Sequence, residues 1–277
     1  MNLTAKKIDL NIYCKEPIGF KDDIPVFSVI DDYIDNYEKI SNDHVDKLKK
    51  TGENPFISEK LWEQIEDSTA VLIEKYSQAG QKILDVGVGL GRLLGKFPNL
   101  DKYGLDISSS YLKLASEKNI QCCYSKIEDM PYKDEFFDII VCTDVLEHVL
   151  DLNVAVSNIL RVLKKDGILI IRVPYREDLE VYLDPEIAYY YIHVRSFDEH
   201  SIQLFFTRSY DLKVLEWNTC GTYMLPQRSK WKIPPVKILS KAFKWYFNYL
   251  KKRNPSQYEK NFHELCINTV VKKQKFR

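Results

Sequence analysis

The chain has 277 residues, 45% hydrophobic and 29% charged, and its 40 basic residues balance 40 acidic ones. That length allows one large domain, or a domain with a cap, with an ordinary globular core. No apolar run is long enough to cross a bilayer, no signal-peptide core follows Met1, and the six cysteines show neither metal-ligand spacing nor a small secreted framework, so a reduced, cytoplasmic protein is expected.

Residues 1–78 carry no chemical motif and are expected to form an N-terminal helical cap. A helix is predicted through 31–40, then a break with a new N-cap at Ser41 or Asn42. After a turn at 53–56, apolar residues at Leu61, Trp62, Ile65, Val71, Leu72 and Ile73 repeat with helical period. Tyr33, Tyr37, His44 and Trp62 are candidates for a pocket lining, with plain packing as the alternative.

From 82 to 173 strand and helix patterns alternate. Strands are predicted at 82–86, 103–106, 121–124, 138–142 and 168–173, and helices from Arg92, at 109–118, from Val145 and at 152–163. The alternation implies a parallel sheet with helices on both faces and a ligand crevice at the strands' carboxyl ends. Asp85, Asp106, Glu128 and Asp144 all fall at those ends. Beyond Val173, Ser196 or Asp198 is expected to cap a helix through 202–206. A sixth strand is predicted at 212–217 and a seventh at 267–272. Residues 218–263 then form an insertion whose basic amphipathic helix, within 234–253, serves packing or homodimerisation before membrane contact. From Arg228 onward 14 basic residues face two acidic ones, which suits either an anionic partner or a merely solvated face.

The first strand runs into Asp85-Val86-Gly87-Val88-Gly89-Leu90-Gly91, and this spacing differs from the Gly-x-Gly-x-x-Gly of dinucleotide sites. It resembles the first motif of the class I, Rossmann-like S-adenosylmethionine-dependent methyltransferases. Tyr103 to Ser108, Lys126 to Tyr132, Phe136 to Val149 and Leu160 to Ile171 then resemble that family's later motifs in order. The resemblance is close over about 80–175 and implies an α/β fold with a seven-stranded, mostly parallel sheet over 79–277, its last strand antiparallel. It also implies S-adenosylmethionine as cofactor. Asp85, Gly87, Gly89 and Gly91 would hold the methionine half, Asp106 the ribose, and Ile107, Lys126, Ile127, Glu128 and Thr143 the adenine side.

Methyl transfer needs the acceptor atom in line with the methyl group and often a base for its proton. His148, His193 and Asp144 are the candidates, with a purely structural His148 as the alternative. Tyr175, Arg176 and Arg195 are candidate substrate ligands. No ligand spacing demands a metal and none is expected, with a metal on His193 and nearby acids as the alternative. The His193-Val194-Arg195-Ser196-Phe197 segment resembles methyltransferases of surface-polysaccharide pathways, which implies O-methylation of a nucleotide-activated sugar, its phosphates held by Arg195, Arg176 or Arg228. Other readings are a phenol, amine or quinol acceptor, or a cofactor- or RNA-binding module without catalysis. The Asn54-Pro55-Phe56 sequence lies away from the fourth strand, where base-modifying relatives carry their Pro-Pro motif, so DNA is not an expected substrate.

Overall fold

The computed structural model describes residues 9–210, 212–224 and 262–274, together with positions 249 and 253. Five apolar segments make its parallel centre: β3 (Lys82–Val86), β4 (Asp101–Asp106), β5 (Gln121–Tyr124), β6 (Phe137–Thr143) and β7 (Leu163–Pro174), ordered β5-β4-β3-β6-β7. Successive side chains of a strand point to opposite faces. Ile83, Ile139 and Ile170 therefore pack with Leu72, Ile73 and Leu112 on one side, while Leu84, Ile140 and Leu169 pack with Val156, Ile159 and Ile202 on the other. Both faces are covered, which is why these strands read as near-continuous apolar runs.

The first face is covered by α2 (Glu59–Tyr76), α3 (Arg92–Gly95) and α4 (Ser109–Ser116), and the second by α5 (Leu152–Val162) and α6 (Glu199–Leu204). The helix α1 (Asp32–Thr51) lies toward α4 and buries Ile34 in the first cluster. Asp198 caps α6 in a capping box with Ser201, as the sequence suggested. The segment β9 (Phe262–Lys272) lies antiparallel between β7 and β8 (Lys213–Met224), so the last strand is the antiparallel one.

Among the described residues the sheet has nine strands where seven were expected. The extra two are β1 (Gly19–Lys21) and β2 (Ile24–Val26), an antiparallel hairpin that joins β5 through Val26 and Tyr124. Its two-residue turn holds Asp22 and Asp23 at φ 49° and 61°, which suits a primed hairpin turn but lacks the glycine that marks one in sequence.

Two helix expectations are corrected. The break at Ser41 does not occur, because α1 runs unbroken from its Asp31 cap to Gly52 and Ser41 instead accepts a hydrogen bond from Ser108 Oγ at 2.6 Å. No helix starts at Val145 either. Asp144 sits at φ 55°, residues 144–150 form turns, and α5 begins only at Leu152, capped by Asp151. The expected basic helix and Arg228 lie outside the described residues.

Arg172, buried on β7, ties α2 to the sheet. It donates to Ile65 O at 3.2 Å and Thr69 Oγ1 at 3.0 Å, and its other nitrogens reach both oxygens of Asp144 at 2.6 and 3.2 Å. Arg172→Ala leaves those acceptors unmatched in a cavity and should lower the unfolding free energy by about 3 kcal/mol. Urea denaturation followed by circular dichroism reads this as a lower midpoint.

Candidate functional site

At the carboxyl end of β3 the chain turns through Gly87, Gly89 and Gly91, all at positive φ (76°, 51° and 66°). A Cβ on Gly87 would lie 2.3 Å from Val145 Cγ2, and one on Gly91 would lie 2.9 Å from Ala115 Cα, so these two glycines allow close packing. A Cβ on Gly89 would meet nothing within 4 Å. The middle glycine therefore presents bare backbone to open space.

Asp106, ending β4, closes this turn from the neighbouring strand. Its Oδ2 accepts from Gly89 N at 2.9 Å, and its Oδ1 from Ile107 N at 2.8 Å and Ser108 N at 3.0 Å. Burial pushes its carboxyl up to about 6, against the pull of those three N–H groups. Asp85 is buried and its Oδ1 has no partner among the described residues. Burial lifts its carboxyl well above the usual range, Arg172 opposes the rise, and Asp106 adds to it. An orphaned carboxyl oxygen, a second carboxylate and an open glycine face suit a ligand rich in hydroxyl and cationic groups, as S-adenosylmethionine is.

A cavity of about 490 Å³ lies beside the 126–129 loop and the start of α1, and its walls include Asp31, Tyr33, Lys126, Glu128, Leu150 and Tyr191. The Lys126 ammonium pairs with Asp31, and Lys126 N donates to Ser28 Oγ at 2.9 Å. Ile127 is buried, and burial raises the Glu128 carboxyl. Ile107 packs against the first core cluster, and Thr143 ends β6 opposite Arg172. Tyr33 and Tyr37 join this region, with rings 4.9 Å apart. His44 and Trp62 do not. They pack against each other, with His44 Nδ1 2.6 Å from Tyr111 Oη and Arg92 over the indole.

The turns at 144–150 meet the segment at 191–195. Val194 N donates to Glu147 O at 3.0 Å, and Arg195 donates to Leu146 O at 2.9 Å, to Leu150 O at 3.3 Å and to Val149 O. His148 and His193 are thereby brought together, ring centroids 4.4 Å apart and edge to face. Each ring is held at Nδ1: His148 by Tyr37 Oη at 2.9 Å, and His193 by Glu177 Oε2 at 2.5 Å with Tyr182 Oη at 3.1 Å. Burial and the neighbouring His193 push His148 down to about 3, so its imidazole is neutral at physiological pH. Beside them Glu147 is 0% exposed, and neither carboxyl oxygen has a hydrogen-bond partner among the described residues. Burial first, and Asp144 second, hold that carboxyl well above its usual range.

Several expected roles change. His148 sits in a turn rather than in the first turn of a helix. Asp144 accepts from the Arg172 guanidinium through both oxygens, with its side chain 40% exposed. Arg195 spends its fork on backbone carbonyls, and Arg176 pairs with Glu199 at 2.7 Å, as does Tyr175 Oη at 2.8 Å, so these three hold local structure. Glu147, Glu177 and Tyr182 were not singled out from sequence. Glu147 directly precedes His148, and Glu177 follows Arg176, but nothing in either stretch shows which side chains turn inward.

The chain matches the methyltransferase domain family over residues 84–171. It is 30% identical over 221 residues to the uncharacterised protein MJ0638 of Methanocaldococcus jannaschii, covering 78% of this chain and 88% of that protein. It is 28% identical to YcgJ, an uncharacterised methyltransferase of Bacillus subtilis, covering 42% of this chain and 53% of that protein. Two solved structures share the fold: YcgJ itself, at TM-score 0.51 and 21% identity over 76% of this chain and 99% of that one, and a SAM-dependent methyltransferase from Aquifex aeolicus, at TM-score 0.51 and 15% identity over 82% and 97%. The family match spans the glycine turn, both strand-end acids and the Glu147–His148 turn, and the chain belongs to the class I S-adenosylmethionine-dependent methyltransferases.

Proposed function

We propose that this methyltransferase acts on a hydroxyl of a small acceptor seated between Tyr33, Tyr37, Tyr191 and the His148–His193 pair. The observation that carries the reading is that pair: two imidazoles in contact, each anchored at Nδ1, His148 on the turn that packs over Gly87 and His193 on the segment docked against it. When bound, S-adenosylmethionine supplies a methyl group on a sulfonium, ready to pass to a nucleophile. The open face of Gly89 leaves room for the methionine half, with Asp85 beneath it. Asp106 accepts the ribose hydroxyls, and Ile107, Thr143 and the 126–128 loop border the adenine.

His193 takes the acceptor's proton, because Glu177 at 2.5 Å stabilises the imidazolium that forms. His148, held neutral by burial, orients the acceptor through a hydrogen bond. Asp144 has no part in this step. The nucleotide part of a nucleotide-sugar substrate has weaker support than the hydroxyl, because Arg195 and Arg176 are engaged elsewhere. Sugar nucleotides and simple phenols are therefore the two acceptor sets to compare, with methyl transfer to each followed by a labelled donor.

Two measurements test the cofactor and acceptor sites separately. Gly89→Ala keeps the fold, since open space surrounds the position, but it adds about 1–2 kcal/mol of left-handed strain and fills the bare face. Calorimetry should show cofactor affinity lost by about tenfold. In the unaltered chain that affinity should fall as pH drops through about 6, where the Asp106 carboxylate gains a proton, and Asp106→Asn should flatten the profile. His193→Ala should lower kcat by roughly 10²–10³-fold while leaving the cofactor Kd within about twofold. Full turnover in that variant rejects the assignment.

A further inference from the structure

We infer that Glu147, His148 and His193 form a binding site for one divalent transition-metal ion that takes the acceptor's hydroxyl as a further ligand. The inference rests on the hydroxyl-methylation reading and deepens it. One ligand atom from each of the three residues lies within 4.8 Å of the others, and His148 Nε2 is 3.9 Å from Glu147 Oε1. Donor atoms bound at roughly 2.0–2.2 Å from a cation sit about this far apart when they lie well across it from one another.

Two further observations point to a ligand. Glu147 is fully buried, yet neither oxygen has a hydrogen-bond partner among the described residues, an arrangement that costs free energy unless a cation or proton occupies the space. The nearby guanidinium of Arg172 is committed to Asp144. The histidines are also held as ligands usually are. Tyr37 and Tyr182 with Glu177 occupy the two Nδ1 atoms and fix the rings, and the Ile192 backbone also hydrogen-bonds the His148 imidazole, a contact the ion would displace. A carboxylate on His193 Nδ1 is the usual support for a ligating imidazole.

The donor set narrows the ion. Two imidazoles and one carboxylate with open positions suit manganese, iron(II) or zinc, whereas magnesium prefers oxygen ligands and keeps its waters. A hydroxyl bound to such an ion loses its proton more readily, and that proton passes to solvent through the cavity mouth. No redox step is involved. With the ion in place, His193 ligates it and no longer takes the acceptor's proton itself, and Glu177 is a positioning residue. The other grouping of such side chains, Asp198, Glu199 and His200, is different in kind: Asp198 caps α6, and Glu199 is held by Tyr175 and Arg176.

The test uses the full chain, stripped with a chelator and titrated with Mn²⁺ under electron paramagnetic resonance, then with Zn²⁺ in a calorimeter. One equivalent should bind. Glu147→Gln and His193→Ala should each weaken Mn²⁺ binding by at least about tenfold, Glu177→Gln by roughly 10–100-fold, and His200→Ala should leave it unchanged. Circular dichroism checks the fold, and Glu177→Gln, outside the deepest burial, keeps the test usable if Glu147→Gln does not fold. Absence of saturable Mn²⁺ and Zn²⁺ binding, or binding indifferent to these substitutions, overturns the site. A stripped chain that methylates hydroxyls at full rate also overturns it and leaves the transfer reading standing. A chain that binds the ion through these residues but methylates no hydroxyl supports the site and rejects the acceptor reading.

Discussion

The arrangement of the candidate site depends on one guanidinium that is committed to backbone carbonyls. Arg195 gathers the carbonyls of Leu146, Val149 and Leu150, groups that a helix would have satisfied internally. Holding them keeps 144–150 out of helical conformation and docks the 191–195 strand of chain on top. That docking, with Val194 N on Glu147 O, brings Glu147, His148 and His193 together. The planar fork with its several donors suits arginine to the task, and lysine would reach fewer carbonyls at once.

Around this clamp, burial sets the charge states. Desolvation favours the neutral form of every group it reaches, so it works in opposite directions on acids and on imidazoles. Asp85, Asp106 and Glu147 are all driven toward protonation, while His148 is driven away from it. Charge at the site is thus carried by the Arg172–Asp144 and Lys126–Asp31 pairs and, above about pH 6, by Asp106. The site is polarised further when ligands bring hydroxyls or positive charge, which is economical for a pocket that must open to solvent between turnovers.

The parallel sheet was legible because burial on both faces writes unbroken apolar runs, and the acids at strand ends marked the crevice. The glycine turn was legible from spacing alone. The hairpin at 19–26 was not, since aspartates replace the usual turn glycine, and neither was the continuity of α1, where Ser41 serves a tertiary contact with Ser108 rather than a cap. The protein partners of Arg195, Arg176 and Asp144 were not legible. Arginines and acids beside a crevice look alike in sequence whether they meet a ligand or the protein itself, and only the fold shows Arg195 on carbonyls and Asp144 on Arg172. Glu147 escaped notice for the same reason, because nothing local announces that its side chain turns away from water.

The placing of β9 between β7 and β8 bears on how the molecule is made. Every strand that shapes the glycine turn has been synthesised by Pro174, but among the described residues β8 pairs only with β9, and that edge of β7 pairs only with residues 266–272. On the ribosome the nascent chain therefore carries an unpaired, sticky border for nearly a hundred residues of elongation. Arg172 and Cys266 flank that border, so the last strand to emerge both seals the sheet and completes the wall behind the reactive edge.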